Sequence, residues 1–410
     1  MKKLLALVSV IAMISTVTAC DSSSDSSSKS SSESSSKTES SEENSENSES
    51  SEESSESSET SSDGEKSVGI AMPTKSLERW NRDGEYLKSQ FEAADYTVEL
   101  KYSDNDVEQQ NNDIQGMIAD GVDLLLIAAI DGSTLSQTLA DAKDAGIPVI
   151  AYDRLIMNTD AVSYYVSFDN YTVGKLQGEY VINALDLANA DGPFNIEFTA
   201  GDPADNNAGY FFNGAYDAVK EYIDNGKLVI PSGKKTFEQV ATPQWSTDTA
   251  LANMQNTLAS YYSDGTQLDV ALCSNDSTAL GVAQAISTDY AGKNVPVVTG
   301  QDGDIANLQN IVDGKQSMTV YKNVSDEAGV TLEVSKAILS GETPDESLIG
   351  SLSAEATYDT ESYDNGVKVV PSYLLVPYVI TKDNLQVLVD TGLYKWDSDN
   401  KYLESTASTT

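Results

Sequence analysis

Beyond Lys66 the chain settles into a repeating order that few folds can accept. Short apolar runs of strand length alternate with stretches that have one apolar face at helical spacing. Val68-Gly69-Ile70-Ala71-Met72, Leu124-Leu125-Leu126-Ile127-Ala128-Ala129-Ile130 and Val149-Ile150-Ala151-Tyr152 leave almost no polar position to face water. Such strands have to be covered on both faces, the condition of a parallel sheet flanked by helices. Between them Val107, Ile114, Met117 and Ile118 share one helical face, as do Leu135, Leu139 and Ala142. Gly121 and Gly146 stand where a helix C-terminus calls for a left-handed residue. The order resumes after Phe168, with helical spacing through Val173, Leu176, Tyr180, Val181 and Leu185. Strand-like runs follow at Phe194–Phe198, Leu268–Leu272 and Val295–Thr299. Two α/β units of similar size predict two doubly wound parallel-sheet lobes, with a ligand held between the carboxyl ends of their strands.

The preceding residues belong to another regime. Lys2 and Lys3 lead into the apolar run Leu4–Ile14, which is short for a membrane span and ordered like a secretory signal. It ends in Val17-Thr18-Ala19-Cys20, which resembles a lipobox, the site at which a cysteine becomes the lipidated first residue; an ordinary signal with an incidental cysteine is the alternative. Two acyl chains on Cys20 suffice for stable anchoring. Residues 21–66 then contain 24 Ser and 14 Asp or Glu and no aliphatic or aromatic side chain. A segment so poor in apolar surface is expected to stay disordered, as a tether spanning roughly 35–40 Å. A modification platform is a second reading of the same serines.

Charge and composition remove several chemistries. With 25 Lys and Arg against 65 Asp and Glu, the net charge is −40, and there is no histidine. Imidazole acid–base chemistry and histidine-ligated metal sites are excluded. No basic cluster offsets the repulsion of phosphate backbones, which argues against a nucleic-acid partner. Two cysteines are too few for a disulfide framework, and Cys273, in an apolar run, reads as a small core residue. Asp359, Glu361 and Asp364 do not fit calcium-loop spacing and read as a solvated acidic loop.

Polar residues cluster after the apolar runs: Tyr152-Asp153-Arg154, Ser274-Asn275-Asp276, Gly300-Gln301-Asp302 and Tyr321-Lys322-Asn323. Carboxylates, amides and a guanidinium form planar donor and acceptor sets that suit a ligand with several neighbouring hydroxyls. Trp80 and Trp245 offer faces for the apolar side of a sugar ring. Each feature also has a plain reading: Asp153-Arg154 as a structural ion pair, Trp245 as core, Asn275-Asp276 as a helix N-cap.

With these residues in view the chain resembles the periplasmic-type monosaccharide-binding proteins of the type I, ribose/xylose-binding superfamily, closest to the xylose and multiple-sugar branch. The likeness rests on Leu77-Glu78-Arg79-Trp80, Val149–Ile156, Tyr165–Asn170, Gly201-Asp202-Pro203-Ala204-Asp205-Asn206-Asn207-Ala208, Ser274-Asn275-Asp276, Gly300–Gly303, Thr319–Lys322 and Gly366–Leu375. It implies sugar contacts by Arg79, Asp153, Arg154, Asn207, Trp245, Asn275, Asp302 and Lys322. It also implies three crossings between lobes, near Asp169-Asn170, before Val320 and at Ser372-Tyr373, and a hinge motion between them. On that reading the first lobe comprises residues 67–170 and 320–372, the second residues 171–319 and 373–410. The implied protein is a monomer held to the membrane by its lipid, without cofactor or metal, that delivers a free aldopentose or aldohexose to an ABC importer permease. Three rivals remain: a sensing role beside a chemoreceptor, a secreted carbohydrate-active enzyme, and a regulator of the lactose-repressor type, which would need a helix-turn-helix where the signal and tether stand.

Overall fold

The computed structural model describes residues 66–406. The expected signal segment with Cys20, the tether up to residue 65 and residues 407–410 lie outside the described residues. Lys66, assigned above to the tether, ends on the folded side: its Nζ pairs with Asp123 at 3.0 Å. No helix among the described residues is long and apolar enough to cross a membrane.

The chain first lays down β1 (Ser67–Met72), α1 (Glu78–Ala93), β2 (Thr97–Tyr102), α2 (Val107–Asp120), β3 (Leu124–Ile127), α3 (Ser136–Asp144), β4 (Val149–Tyr152) and β5 (Val162–Phe168). It then crosses at Asp169 into α4 (Asn170–Ala184), β6 (Phe194–Thr199), α5 (Asn206–Asp224), β7 (Leu228–Val229), α6 (Phe237–Val240), α7 (Thr247–Tyr261), β8 (Val270–Cys273), α8 (Asp276–Asp289), β9 (Val297–Val298), α9 (Ile305–Asp313) and β10 (Thr319–Tyr321). It returns through α10 (Val324–Leu339), β11 (Ala356–Asp359) and β12 (Ser372–Leu375). It ends in β13 (Tyr378–Ile380), α11 (Gln386–Asp390), β14 (Tyr394–Trp396) and β15 (Leu403–Ser405).

The first sheet has the order β11-β12-β5-β4-β3-β1-β2, parallel except for the edge strand β11. The second runs β7-β6-β8-β9, all parallel. In both, the strand order reverses beside the first strand laid down, which opens a crevice at the carboxyl ends. The apolar runs explain the layering. Leu124 and Leu126 enter the core on one face of the first sheet, Leu125 and Ile127 the core on the other, and all four are fully buried. In the second sheet Val270 and Leu272 face one way, Ala271 and Cys273 the other. Cys273 is therefore a core residue, and burial pushes its thiol well up. Gly121 takes the left-handed conformation at the end of α2 (φ 75°), and Gly146 does so after α3 (φ 74°).

Two expected crossings move. β10 pairs antiparallel with β13, and Val320 bridges to Gln301, so both strands side with the second lobe. β12 pairs with β5 of the first sheet as far as Leu375. The crossings thus fall at Lys322-Asn323 and Val376-Pro377 rather than before Val320 and at Ser372-Tyr373. An apolar strand reads alike in either lobe, and only its partner decides.

Candidate functional site

A cleft opens between the carboxyl ends of the two sheets. The first lobe contributes Arg79 and Trp80 from the first turn of α1, and Asp153 and Arg154 from the turn after β4. The second contributes Asp205 and Phe211 at α5, Trp245, Asn275 and Ser277 at the start of α8, and the loop Gln301–Asp304; Lys322 enters from a crossing.

Arg79 is the electrostatic hub. Its Nη2 donates to Asp153 Oδ2 at 2.6 Å and Glu327 Oε2 at 3.1 Å, its Nη1 to Asp302 Oδ1 at 3.1 Å, and its Nε to Asp83 Oδ2 at 3.0 Å. Lys322 Nζ donates to Asp153 Oδ2 at 3.0 Å and lies 3.7 Å from Asp302 Oδ1. Burial alone would raise the Asp153 carboxyl, but Arg79 and Lys322 prevail and hold it below the usual range. Glu327 shows the opposite balance. Fully buried behind Arg79 and facing Asp153 and Asp83, it is raised well above a normal carboxyl, and its Oε1 has no hydrogen-bond partner among the described residues.

On the same lobe, Arg154 donates Nη1 to the Ala129 carbonyl at 2.9 Å, and its Nε reaches across the cleft to lie 3.1 Å from Asp205 Oδ2, in charge contact without hydrogen-bond alignment. Asp205 caps α5 by accepting from the Asn207 amide at 2.9 Å, and its Oδ2 accepts from the Trp245 indole at 3.3 Å. Burial raises its carboxyl, with Arg154 opposing. Trp245, 4 % exposed, meets Phe211 edge to face, while the guanidiniums of Arg79 and Arg154 lie 5.1 and 4.9 Å from the Trp80 ring centroid. Two aromatic surfaces and a band of planar polar groups thus line one cavity.

Seven of the eight expected contacts line this cavity: Arg79, Asp153, Arg154, Trp245, Asn275, Asp302 and Lys322. Asn275 keeps its plain role too, since its Oδ1 accepts from the Thr278 amide at 3.0 Å as the N-cap of α8. Asn207 is not among the lining residues. Its amide donates to the Asp153 carbonyl at 2.6 Å and its Oδ1 accepts from the Tyr165 hydroxyl at 3.1 Å, which fixes the Asp153 turn from behind. Asp205, Phe211, Ser277, Gln301 and Asp304 line the cavity without having been singled out. Asp205 was within reach, because it stands two residues before Asn207 at a strand end; Glu327 and Asp83, which face Arg79 from helices, carry no such signal.

The pattern of the periplasmic binding protein domain matches residues 68–343. Over 335 residues the chain is 44 % identical to the multiple sugar-binding periplasmic receptor ChvE of Rhizobium radiobacter, covering 81 % of this chain and 91 % of that protein. It is 32 % identical over 332 residues to the D-xylose-binding periplasmic protein of Escherichia coli K12, with 81 % and 92 % covered. Among solved structures, an ABC transporter solute-binding protein from Clostridium phytofermentans with bound β-D-glucose is 51 % identical. It superposes with a TM-score of 0.76 over 82 % of this chain and 99 % of that one. Sequence, sheet order and cleft agree, and the chain belongs to the periplasmic binding protein domain family.

Proposed function

We propose that the protein is an extracytoplasmic receptor that binds a free aldopentose or aldohexose in the interlobe cleft and passes it to an ABC importer. The observation that carries this reading is the lining itself. Ionised Asp153 and the paired Arg79, Arg154 and Lys322 offer acceptors and donors in fixed planes, and Trp80 and Trp245 supply faces for the C–H side of a ring. The relatives named as multiple-sugar and xylose-binding proteins, and the glucose-bound structure, support the ligand class. A lipid anchor at Cys20, monomeric state and the importer partner extend the same reading.

A glycosidase would pair an ionised carboxylate with a protonated one, and burial does raise the Asp205 carboxyl while Arg79 and Lys322 lower that of Asp153. Both oxygens of Asp205 are nevertheless engaged, by the Asn207 amide and by Trp245 and Arg154. A general acid needs a proton free to leave toward a substrate oxygen, which favours binding over turnover. Titration calorimetry of residues 67–410 against xylose, arabinose, glucose, galactose, fucose and ribose tests the reading. One-to-one binding of at least one sugar at micromolar or tighter affinity is expected, and silence across the series overturns it.

A further inference from the structure

The N-terminal end of α1 presents two sets of side chains to the second lobe. Arg79 reaches the cavity. Glu78 and Arg82, one turn apart and 3.6 Å from each other, instead meet the backbone of the loop Asp302–Ile305, and neither lines the cavity. Both carboxylate oxygens of Glu78 accept from the Ile305 amide, each at 3.2 Å. Ile305 opens α9, whose own N-cap residue, Asp304, makes no side-chain cap. The first lobe therefore supplies the acceptor for the Ile305 amide that the N-cap residue does not provide. Arg82 Nη2 donates to the Asp302 carbonyl at 2.8 Å and lies 3.8 Å from Asp304 Oδ1. Its guanidinium rests 5.8 Å from the ring centre of Tyr394, whose hydroxyl donates to the Gly303 carbonyl at 2.8 Å. One short loop is thus gripped from the first lobe at Asp302 and Ile305 and from its own lobe at Gly303 between them.

We propose that Glu78 and Arg82 form a clasp that holds the cleft shut irrespective of which sugar occupies it, acting as positioning residues through the backbone on either side of Asp302. The inference rests on the sugar-receptor reading. A ligand that needs the closed form binds with an apparent affinity scaled by the closed fraction, so weakening the clasp lowers the affinity for every sugar by one common factor. A residue that reads hydroxyls penalises different sugars unequally.

The test uses the full chain and two sugars that bind the parent, such as glucose and xylose. Arg82→Ala is expected to weaken both by about tenfold, and Glu78→Gln by about threefold, with the ratio between the two sugars unchanged. A ratio altered by more than threefold would assign Arg82 or Glu78 to the sugar itself, and unchanged affinities would leave no clasp; either overturns the proposal. Arg82 is buried against Tyr394, so Arg82→Lys, which keeps the charge, and Glu78→Gln, whose parent side chain is 40 % exposed, carry the test if Arg82→Ala unfolds. Should the parent bind no sugar, the receptor reading falls. The clasp is then judged by hydrogen exchange over residues 302–308 of the unliganded protein: faster exchange in Glu78→Gln supports it, and equal exchange overturns it.

Discussion

Asp153 and Asp302 both stand at positive φ, 58° and 106°, conformations that side-chain-bearing residues seldom adopt. Each is kept there by backbone bonds, from Asp153 N to the Val166 carbonyl at 2.8 Å and from Asp302 N to the Val320 carbonyl at 3.0 Å. The backbone thus aims both carboxylates into the cleft. Replacing Asp302 by Asn keeps shape and conformation but removes the charge that faces Arg79 and Lys322, and sugar affinity should fall tenfold or more, since a charge-assisted bond contributes about 1.5–3 kcal/mol. Titration calorimetry of Asp302→Asn checks this, and a loss below threefold would place the sugar elsewhere. Glu327 gives a pH prediction. Its folded-state carboxyl lies above its unfolded value, so its contribution to stability is complete below about pH 4 and is lost as pH rises toward the folded value. Glu327→Gln should therefore gain stability relative to the parent between pH 5 and pH 8. Urea unfolding at both values checks it, and an equal difference at the two would contradict the raised carboxyl. The sequence pointed to Asp153 and Asp302 because they follow strands; Glu327 was invisible because its meaning comes from Arg79, distant along the chain and adjacent only in the fold.

At the scale of elements, two close approaches decide the geometry. α4 and α5 cross where Gly174 and Gly214 face the partner backbones; a Cβ on either would overlap a carbonyl, of Phe211 or of Tyr171. Gly174→Ala should lower stability by about 1–3 kcal/mol through forced separation of the helices, read by thermal melting. Gly201 lies under the Trp245 ring, and a Cβ there would occupy the ring's place. Gly201→Ala should therefore displace the indole and weaken sugar binding by about tenfold, read by titration calorimetry; an unchanged affinity would mean that the indole does not touch the ligand. Strands such as β3 and β4 were legible because burial on both faces leaves a continuous apolar run. The apolar run Val295–Thr299 is longer than its strand: only Val297 and Val298 form β9, and Val295 is 74 % exposed. Neither the close helix crossing nor the seat under Trp245 has a periodic signature, since each depends on which surfaces meet.

For the whole molecule, a sugar in this cleft touches both lobes and so belongs to the folded state of each. At a concentration a thousandfold above its dissociation constant it should stabilise the protein by about 4 kcal/mol, and differential scanning calorimetry should show the entire unfolding transition move upward. A shift confined to part of the transition would place the ligand on one lobe alone. The two-lobe plan was readable from the repeated α/β order, whereas the exact crossings were not, because β10 and β12 differ only in which sheet they join.

The brace that Tyr394 provides ties the cleft to the far end of the chain. The hairpin of β14 and β15 buries Leu403 and sets the Tyr394 hydroxyl on the Gly303 carbonyl, beside the Asp302 carboxylate. Arg79, by contrast, is made among the first residues of the folded part. The two sides of the cleft thus come from opposite ends of the described residues, and the loop that carries Asp302 is braced only when the last of them is in place. A chain clipped before the hairpin should lose the Tyr394 brace on the Gly303 carbonyl and hold the Asp302 loop less firmly than the full chain.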